Sequence, residues 1–284
     1  MAAIVGCSSA VTQSCYRHPN RETRVSCSSC GRPICPDCMT PTPVGMRCPE
    51  CMRDRTRVTQ GTAAFGGSVH APVTYALIAI NVAVYLAEIA SGPGGLNSPG
   101  AAFVTHYSLI GTSVASGQWY RLLTGAFLHE GLVHIGFNMV ALYFLGRLLE
   151  PAIGATRFLF VYFASLFAGS LGALLLSGPH ALTLGASGAI FGIFGAAFVI
   201  ARGRGLDSVA RVIGVILLFN LAFSVSDPYV SLGGHLGGLI AGVLCAFAIL
   251  AGERGKLGLR HLPAELAMMS AIAVLSIAGA IAIA

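Results

Sequence analysis

Two sets of chemically capable residues stand out in this chain. In Leu184-Gly185-Ala186-Ser187-Gly188-Ala189-Ile190-Phe191 a serine flanked by small residues opens an apolar segment long enough to cross a bilayer, and a later apolar segment carries His235 near its start. A serine hydroxyl is a weak nucleophile until a base removes its proton, and a membrane interior is an expensive place to keep a histidine. The pair therefore points to hydrolysis inside a membrane. The second set is Cys15-x2-His18, Cys27-x2-Cys30, Cys35-x2-Cys38 and Cys48-x2-Cys51. Its eight soft ligands are enough for two tetrahedral zinc ions with closed, structural shells.

The rest of the chain must position these groups. Of 284 residues 55% are hydrophobic and 10% charged, far from the soluble balance of about a quarter charged. An all-α polytopic membrane protein is expected. Eight of the nine cysteines precede residue 52, and no long apolar run lies in that stretch, so a small metal-stabilised part joins a membrane part. The net charge of +6 does not imply nucleic acid, because no basic stripe interleaves with aromatics.

About 20 apolar residues span a bilayer core. On that measure spans are expected near 73–91, 130–149, 155–177, 184–201, 209–226, 232–251 and 264–284. Arg147 and Arg157, Arg202, Arg204 and Arg211, and Arg254, Lys256 and Arg260 fall in alternate connections, which should be cytoplasmic. Ser91 to Gln118, Gly178 to Thr183 and Asp227 to Ser231 contain no lysine or arginine. The expected topology is a multi-pass protein of the cell membrane with its N-terminus cytoplasmic and its C-terminus external. Met1 to Ser14 is too short and mixed for a secretory signal.

In this topology the second, fourth and sixth spans all run inward. His134 and Asn138, Ser187, and His235 then share one shallow level below the external surface. His134 and Asn138 are four apart and lie on one helix face. Gly185 and Gly188 beside the serine, and Gly234, Gly238 and Gly242 beside the histidine, permit close helix approach.

These residues resemble the rhomboid intramembrane serine proteases. The likeness rests on His129-Glu130-Gly131-Leu132-Val133-His134-Ile135-Gly136-Phe137-Asn138, Gly185-Ala186-Ser187-Gly188, His235 followed by glycines, and Trp119-Tyr120-Arg121-Leu122-Leu123-Thr124 ahead of the second span. It covers residues 73 to 251 and implies a rhomboid-like six-helix core, with one further transmembrane helix after it. It also implies a Ser187–His235 dyad without an acid, and an oxyanion site of His134, Asn138 and the Ser187 N–H. Phe191 stands where the family usually has a tyrosine packed on the catalytic histidine; the ring can still stack, without the hydroxyl's hydrogen bond. Implied substrates are transmembrane segments cut near their external end, with small residues at the cut. No catalytic cofactor is implied.

The cysteine pattern resembles a B-box or other cross-braced zinc finger. That likeness favours Cys15, His18, Cys35 and Cys38 around one zinc and Cys27, Cys30, Cys48 and Cys51 around the other; pairing of sequential neighbours is the alternative. Such a domain would be cytoplasmic and serve regulation or recruitment through a protein partner. The expected organisation is an extension over 1–14, the zinc domain over 15–52, a linker over 53–72, the protease core over 73–251, and a loop with the seventh helix over 252–284.

Several residues admit competing readings. His129 and His134 would suit axial haem ligation, but Asn138 and the serine motif would then have no task. A non-catalytic rhomboid-like protein binding membrane clients is the alternative function. Ser165, Ser170 and Ser270 read as packing residues, Cys245 as an inert thiol, Cys7 as a free thiol outside the metal shells, Glu88 as interfacial, and Asp227 as a helix cap rather than an orienting acid.

Overall fold

The computed structural model describes residues 12–42, 45–53, 70–93, 95–97, 100–227, 230–254 and 261–284. Cys7 and nearly all of the expected extension and linker lie outside the described residues. The chain divides into two units, 1–63 and 64–284.

The first unit is built from very short elements. Strand β1 (Gln13–Cys15) pairs antiparallel with β2 (His18–Thr23), and β3 (Thr40–Thr42) with β4 (Gly45–Arg47). A 3-10 turn at Pro36–Cys38 and helix α1 (Pro49–Arg53) complete it. Its buried centre is Ile34 with Cys15, Cys27, Cys35, Cys38 and Cys48. So small an apolar core cannot hold a unit of this size together, which makes the cysteines its structural resource.

The second unit is helical: α2 (Pro72–Ala90), α3 (Ala101–Tyr107), α4 (Gly111–Ala115), α5 (Arg121–Thr124), α6 (Leu132–Ile153), α7 (Ala155–Leu176), α8 (Ser187–Gly203), α9 (Asp207–Ser226), α10 (Leu232–Glu253) and α11 (His261–Ile283). Six of these are long and apolar enough to cross a membrane, and α8 is a shorter apolar helix of 17 residues. The expected fourth span, 184–201, therefore begins three residues later than its apolar run. The stretch before it is tied to the segment between α3 and α6 instead: Leu109 and Thr183 exchange backbone hydrogen bonds at 3.0 and 2.9 Å, and the Gly185 N–H donates to the Gly125 carbonyl at 2.9 Å.

Helices α7, α8 and α10 form the packed centre, with Phe158, Tyr162, Leu166, Ile193, Cys245 and Ile249 in its core. Glycines set their spacing. A Cβ at Gly238 would lie 1.9 Å from the Gly188 carbonyl oxygen, and one at Gly242 1.9 Å from that of Gly192. On the other side of α10, a Cβ at Gly237 would lie 2.2 Å from the Ala168 carbonyl oxygen. Such backbone contact is how helices gain packing where lipid offers no hydrophobic contrast.

Buried polar groups fasten the outer helices. Glu150 on α6 accepts the Val73 and Thr74 N–H groups at 2.9 and 2.8 Å and the Thr74 hydroxyl at 2.7 Å. Its carboxylate thereby caps the N-terminus of α2, where negative charge is favoured. Glu265 on α11 is buried and pairs with Arg157 on α7. Glu88 is buried rather than interfacial, because its carboxylate turns inward to accept the His129 N–H at 3.2 Å. Arg121 organises the loop that holds α3 to α5, donating to the Thr105 and Ser108 carbonyls at 2.7 Å each and to Gln118 at 2.7 Å. Ser270 bonds back to its own helix at Leu266, whereas Ser170 instead reaches across to the Leu122 carbonyl.

Candidate active site

The serine stands where it does because α8 starts there. Gly185 adopts φ +114°, a conformation that side-chain-bearing residues rarely take, and a Cβ on it would meet His134 Nε2 at 2.8 Å. The turn hands the chain to Ser187, the first residue of α8. N–H groups in a helix's first turn lack intrahelical partners and favour a nearby anion.

His235 is held on α10, one turn in from an N-cap in which the Ser231 hydroxyl oxygen accepts the Gly234 N–H at 3.1 Å. Its Nε2 lies 2.8 Å from Ser187 Oγ. The Phe191 ring, one turn after the serine, stacks on the imidazole with centroids 3.9 Å apart and planes 13° from parallel. The Nδ1 edge faces Ser224 Oγ on α9 at 2.6 Å. Ser224 had no distinguishing mark in the sequence, being one serine in an apolar run.

His134 and Asn138 face the same place from α6. Asn138 is buried, and its Nδ2 has no hydrogen-bond partner, so a donor stands unused beside the serine. Leaving a buried amide donor unpaired costs free energy, which makes it a group held ready for something that arrives. Behind them His129 is fully buried, its ring 5.1 Å from that of His134 and edge-on to it.

Ser187, His235, Asn138 and His134 all line a cavity of about 970 Å³. Away from the serine it runs between apolar side chains of α6 and α9, among them Phe137, Val140, Phe144, Ile216, Phe219 and Phe223. A second cavity of about 410 Å³ lies among Glu130, His134, Ser177, Thr183 and Ser231. The residues named from the sequence thus converge: a hydroxyl, an imidazole within hydrogen-bond reach, an unpartnered amide donor and a cleft. Asp227, expected as a helix cap rather than an orienting acid, lies at the C-terminal end of α9 on the wall of the larger cavity; the α10 cap is Ser231, and His235 Nδ1 faces Ser224.

In the N-terminal unit the ligand atoms of Cys15, His18, Cys35 and Cys38 lie within 4.8 Å of one another, as do those of Cys27, Cys30, Cys48 and Cys51. His18 Nδ1 is 3.3 Å from Cys35 Sγ and 3.4 Å from Cys38 Sγ, and Cys30 and Cys48 sulfurs are 3.8 Å apart. Zinc–sulfur bonds of about 2.3 Å at tetrahedral angles place sulfurs about 3.8 Å apart, so the donor sets fit such an ion. The grouping joins first with third and second with fourth, not sequential neighbours. The Arg32 guanidinium on Cys30 holds that thiol below its ordinary range, while hydrogen bonding with Cys48 and Cys30 pushes Cys51 up to about 12. Four such groups cannot all ionise this close together without a cation among them.

The fold and the site define a multi-pass helical membrane protein with a serine–histidine pair set in a cleft among its helices. The family model for the Rhomboid domain matches residues 116–252. The chain is 34% identical over 147 residues to "Putative rhomboid protease YdcA" of Bacillus subtilis (strain 168), spanning 51% of this chain and 72% of that protein. It is 36% identical over 206 residues to "Rhomboid protease GluP" of the same organism, 71% of this chain and 39% of the relative. Against the yeast "Rhomboid protein 1, mitochondrial" it is 31% identical over 195 residues, 62% of this chain and 53% of that one. This chain belongs to the rhomboid family. The matched stretch spans about two fifths of the length of GluP.

Proposed function

We propose that the protein is an intramembrane serine endopeptidase in which Ser187 is the nucleophile and His235 the general base. The observation that carries the reading is the 2.8 Å contact between Ser187 Oγ and His235 Nε2 beside the unpartnered Asn138 donor. Both relatives from Bacillus carry protease names, which supports it.

In the proposed reaction Ser187 Oγ attacks a peptide carbonyl carbon and its proton passes to His235 Nε2. The carbonyl oxygen takes the electron pair and is stabilised by Asn138, His134 and the Ser187 N–H. As the intermediate collapses the C–N bond breaks, and His235 gives its proton to the departing amine. Water then attacks the acyl ester, losing a proton to His235, which returns it to Ser187 Oγ as the acid product leaves. The smaller cavity, walled by Glu130, Thr183 and Ser231, offers a route for that water.

The substrate in this reading is a transmembrane segment entering between α6 and α9 and cut near its external end. It must unwind to expose a peptide bond, since a bond within an intact helix is shielded. The proposed topology is a multi-pass protein of the cell membrane, N-terminus cytoplasmic and C-terminus external. The N-terminal unit, residues 15–52, is proposed to hold two structural zinc ions and to recruit or regulate through a cytoplasmic protein partner.

Labelling with a serine-directed fluorophosphonate tests the core of the reading without a known substrate. Wild type should label and cleave a model transmembrane substrate. Ser187→Ala should do neither while remaining folded. Cleavage retained by that variant refutes the assignment.

A further inference from the structure

A serine–histidine pair works only if the imidazole carries its proton on the nitrogen facing away from the serine. Hydrolases with a third, acidic member fix this tautomer with a carboxylate on Nδ1–H. Here the group that meets His235 Nδ1 among the described residues is the Ser224 hydroxyl. We infer that Ser224 is a positioning residue that fixes the Nδ1–H tautomer of His235 and leaves Nε2 bare toward Ser187. This inference rests on the reading of His235 as base.

The hydrogen-bond directions follow from donor counting. Ser224 Oγ lies 2.7 Å from the Asn220 carbonyl oxygen, which can only accept, so the hydroxyl proton is engaged there. The hydroxyl oxygen is then left to accept from His235 Nδ1–H at 2.6 Å. With Nδ1 protonated, Nε2 is an acceptor, and the Ser187 hydroxyl donates to it at 2.8 Å. This arrangement satisfies all three contacts. The opposite one, with Ser224 donating to Nδ1, abandons the Asn220 contact and turns Nε2 into a donor toward Ser187. Bonding back to the preceding turn is common for a serine in a helix, and here it leaves the acceptor side pointed at the histidine.

The placement of Ser224 argues against an incidental contact. Helix α9 exposes most of its length, and the residues it buries are Ala210, Ile213 and Ser224. Two of these lie toward its N-terminal half, so Ser224 is the buried point at the other end, and its neighbour there is the base. Phe191 covers one face of the same ring while Ser224 holds its edge. Face and edge together define both the plane of the imidazole and its tautomer.

The test uses the full-length protein in lipid vesicles, comparing wild type, Ser224→Ala and Ser224→Thr. With the accepting oxygen removed, Ser224→Ala should label and cleave about fivefold to tenfold more slowly, the size expected for one hydrogen bond. The loss should fall on kcat with KM unchanged, and Ser224→Thr, which restores the oxygen, should recover most of it. Nitrogen-15 spectra of histidine-labelled protein, with the His235 signal assigned through His235→Gln, should show Nδ1–H alone in wild type and a mixture in Ser224→Ala. Equal rates for wild type and Ser224→Ala, or no recovery in Ser224→Thr, would overturn the role. An Nε2–H signal in wild type would also overturn it. Wild type that fails to label at Ser187 would instead count against the protease reading, while the tautomer spectra would still decide the part played by Ser224.

Discussion

The rings of Phe191 and His235 lie stacked, centroids 3.9 Å apart and planes 13° from parallel. Ser187 and Phe191 are four apart on α8, so one helix face presents both the nucleophile and the surface against which the base rests. Stacking of this kind contributes about 0.5–1.5 kcal/mol beyond area burial. Phe191→Leu should therefore lower kcat about twofold to tenfold with KM little changed, and Phe191→Tyr should stay near the wild-type rate. Steady-state cleavage of a model substrate measures it. A leucine variant at full rate would remove the ring from the argument.

The approach of α10 to α8 makes a second, sharper prediction. A side chain at Gly238 meets the Gly188 carbonyl, a backbone atom that cannot rotate away. Gly238→Ala must push the two helices apart, and the serine–histidine contact spans that interface. Activity should fall by about a hundredfold, the loss typical of a misplacement of about 1 Å, and the thermal midpoint should drop, since overpacking costs about 1–3 kcal/mol. Gly136, with nothing within 4 Å of its Cβ position, is the control. Gly136→Ala should unfold no earlier than wild type, because alanine is favoured over glycine inside a helix. Equal behaviour of the two variants would contradict the packing argument.

Much of this arrangement was legible in the sequence. Apolar length located the long helices to within a few residues, because a bilayer dictates it, and glycine spacing on α10 foretold a close helix pair. The start of α8 was misplaced since Leu184, Gly185 and Ala186 are as apolar as the helix they precede; only the backbone turn at Gly185 separates them. The helical pieces between Ser91 and Thr124 were unread for a related reason, being short and lacking a repeating apolar face. The roles of Glu88, read as interfacial, and of Glu150 and Ser224 escaped for another reason. Each gains its role from a partner on a different segment, His129, Thr74 and His235, and no local pattern announces such contacts.

The idle amide of Asn138 yields a prediction in which stability and activity separate. Its Nδ2 has no partner in the resting protein, so removing it sacrifices no hydrogen bond of that group. Asn138→Ala should keep or slightly raise the thermal midpoint. Loss of one oxyanion donor typically costs about 10²–10³ in kcat. Parallel melting and kinetic measurements on the same preparation decide the matter. A fall in stability without a fall in kcat would mean that Asn138 is structural.

The two cysteine clusters predict a metal dependence confined to one unit. Full-length protein should bind two zinc ions per chain by elemental analysis, and Cys48→Ser, which breaks one set, should bind about one. A chelator should leave the clustered thiols without their cation, and the small core around Ile34 is too slight to keep β1 to β4 in place. Trypsin should then cut after Arg21 and Arg24, cleavage that the metal-loaded unit should resist. Cleavage of a transmembrane substrate should continue after chelation, because the groups that would perform it lie in the second unit. An unchanged tryptic pattern would dismiss the metal as the source of stability, and loss of substrate cleavage would show that the N-terminal unit is required for catalysis.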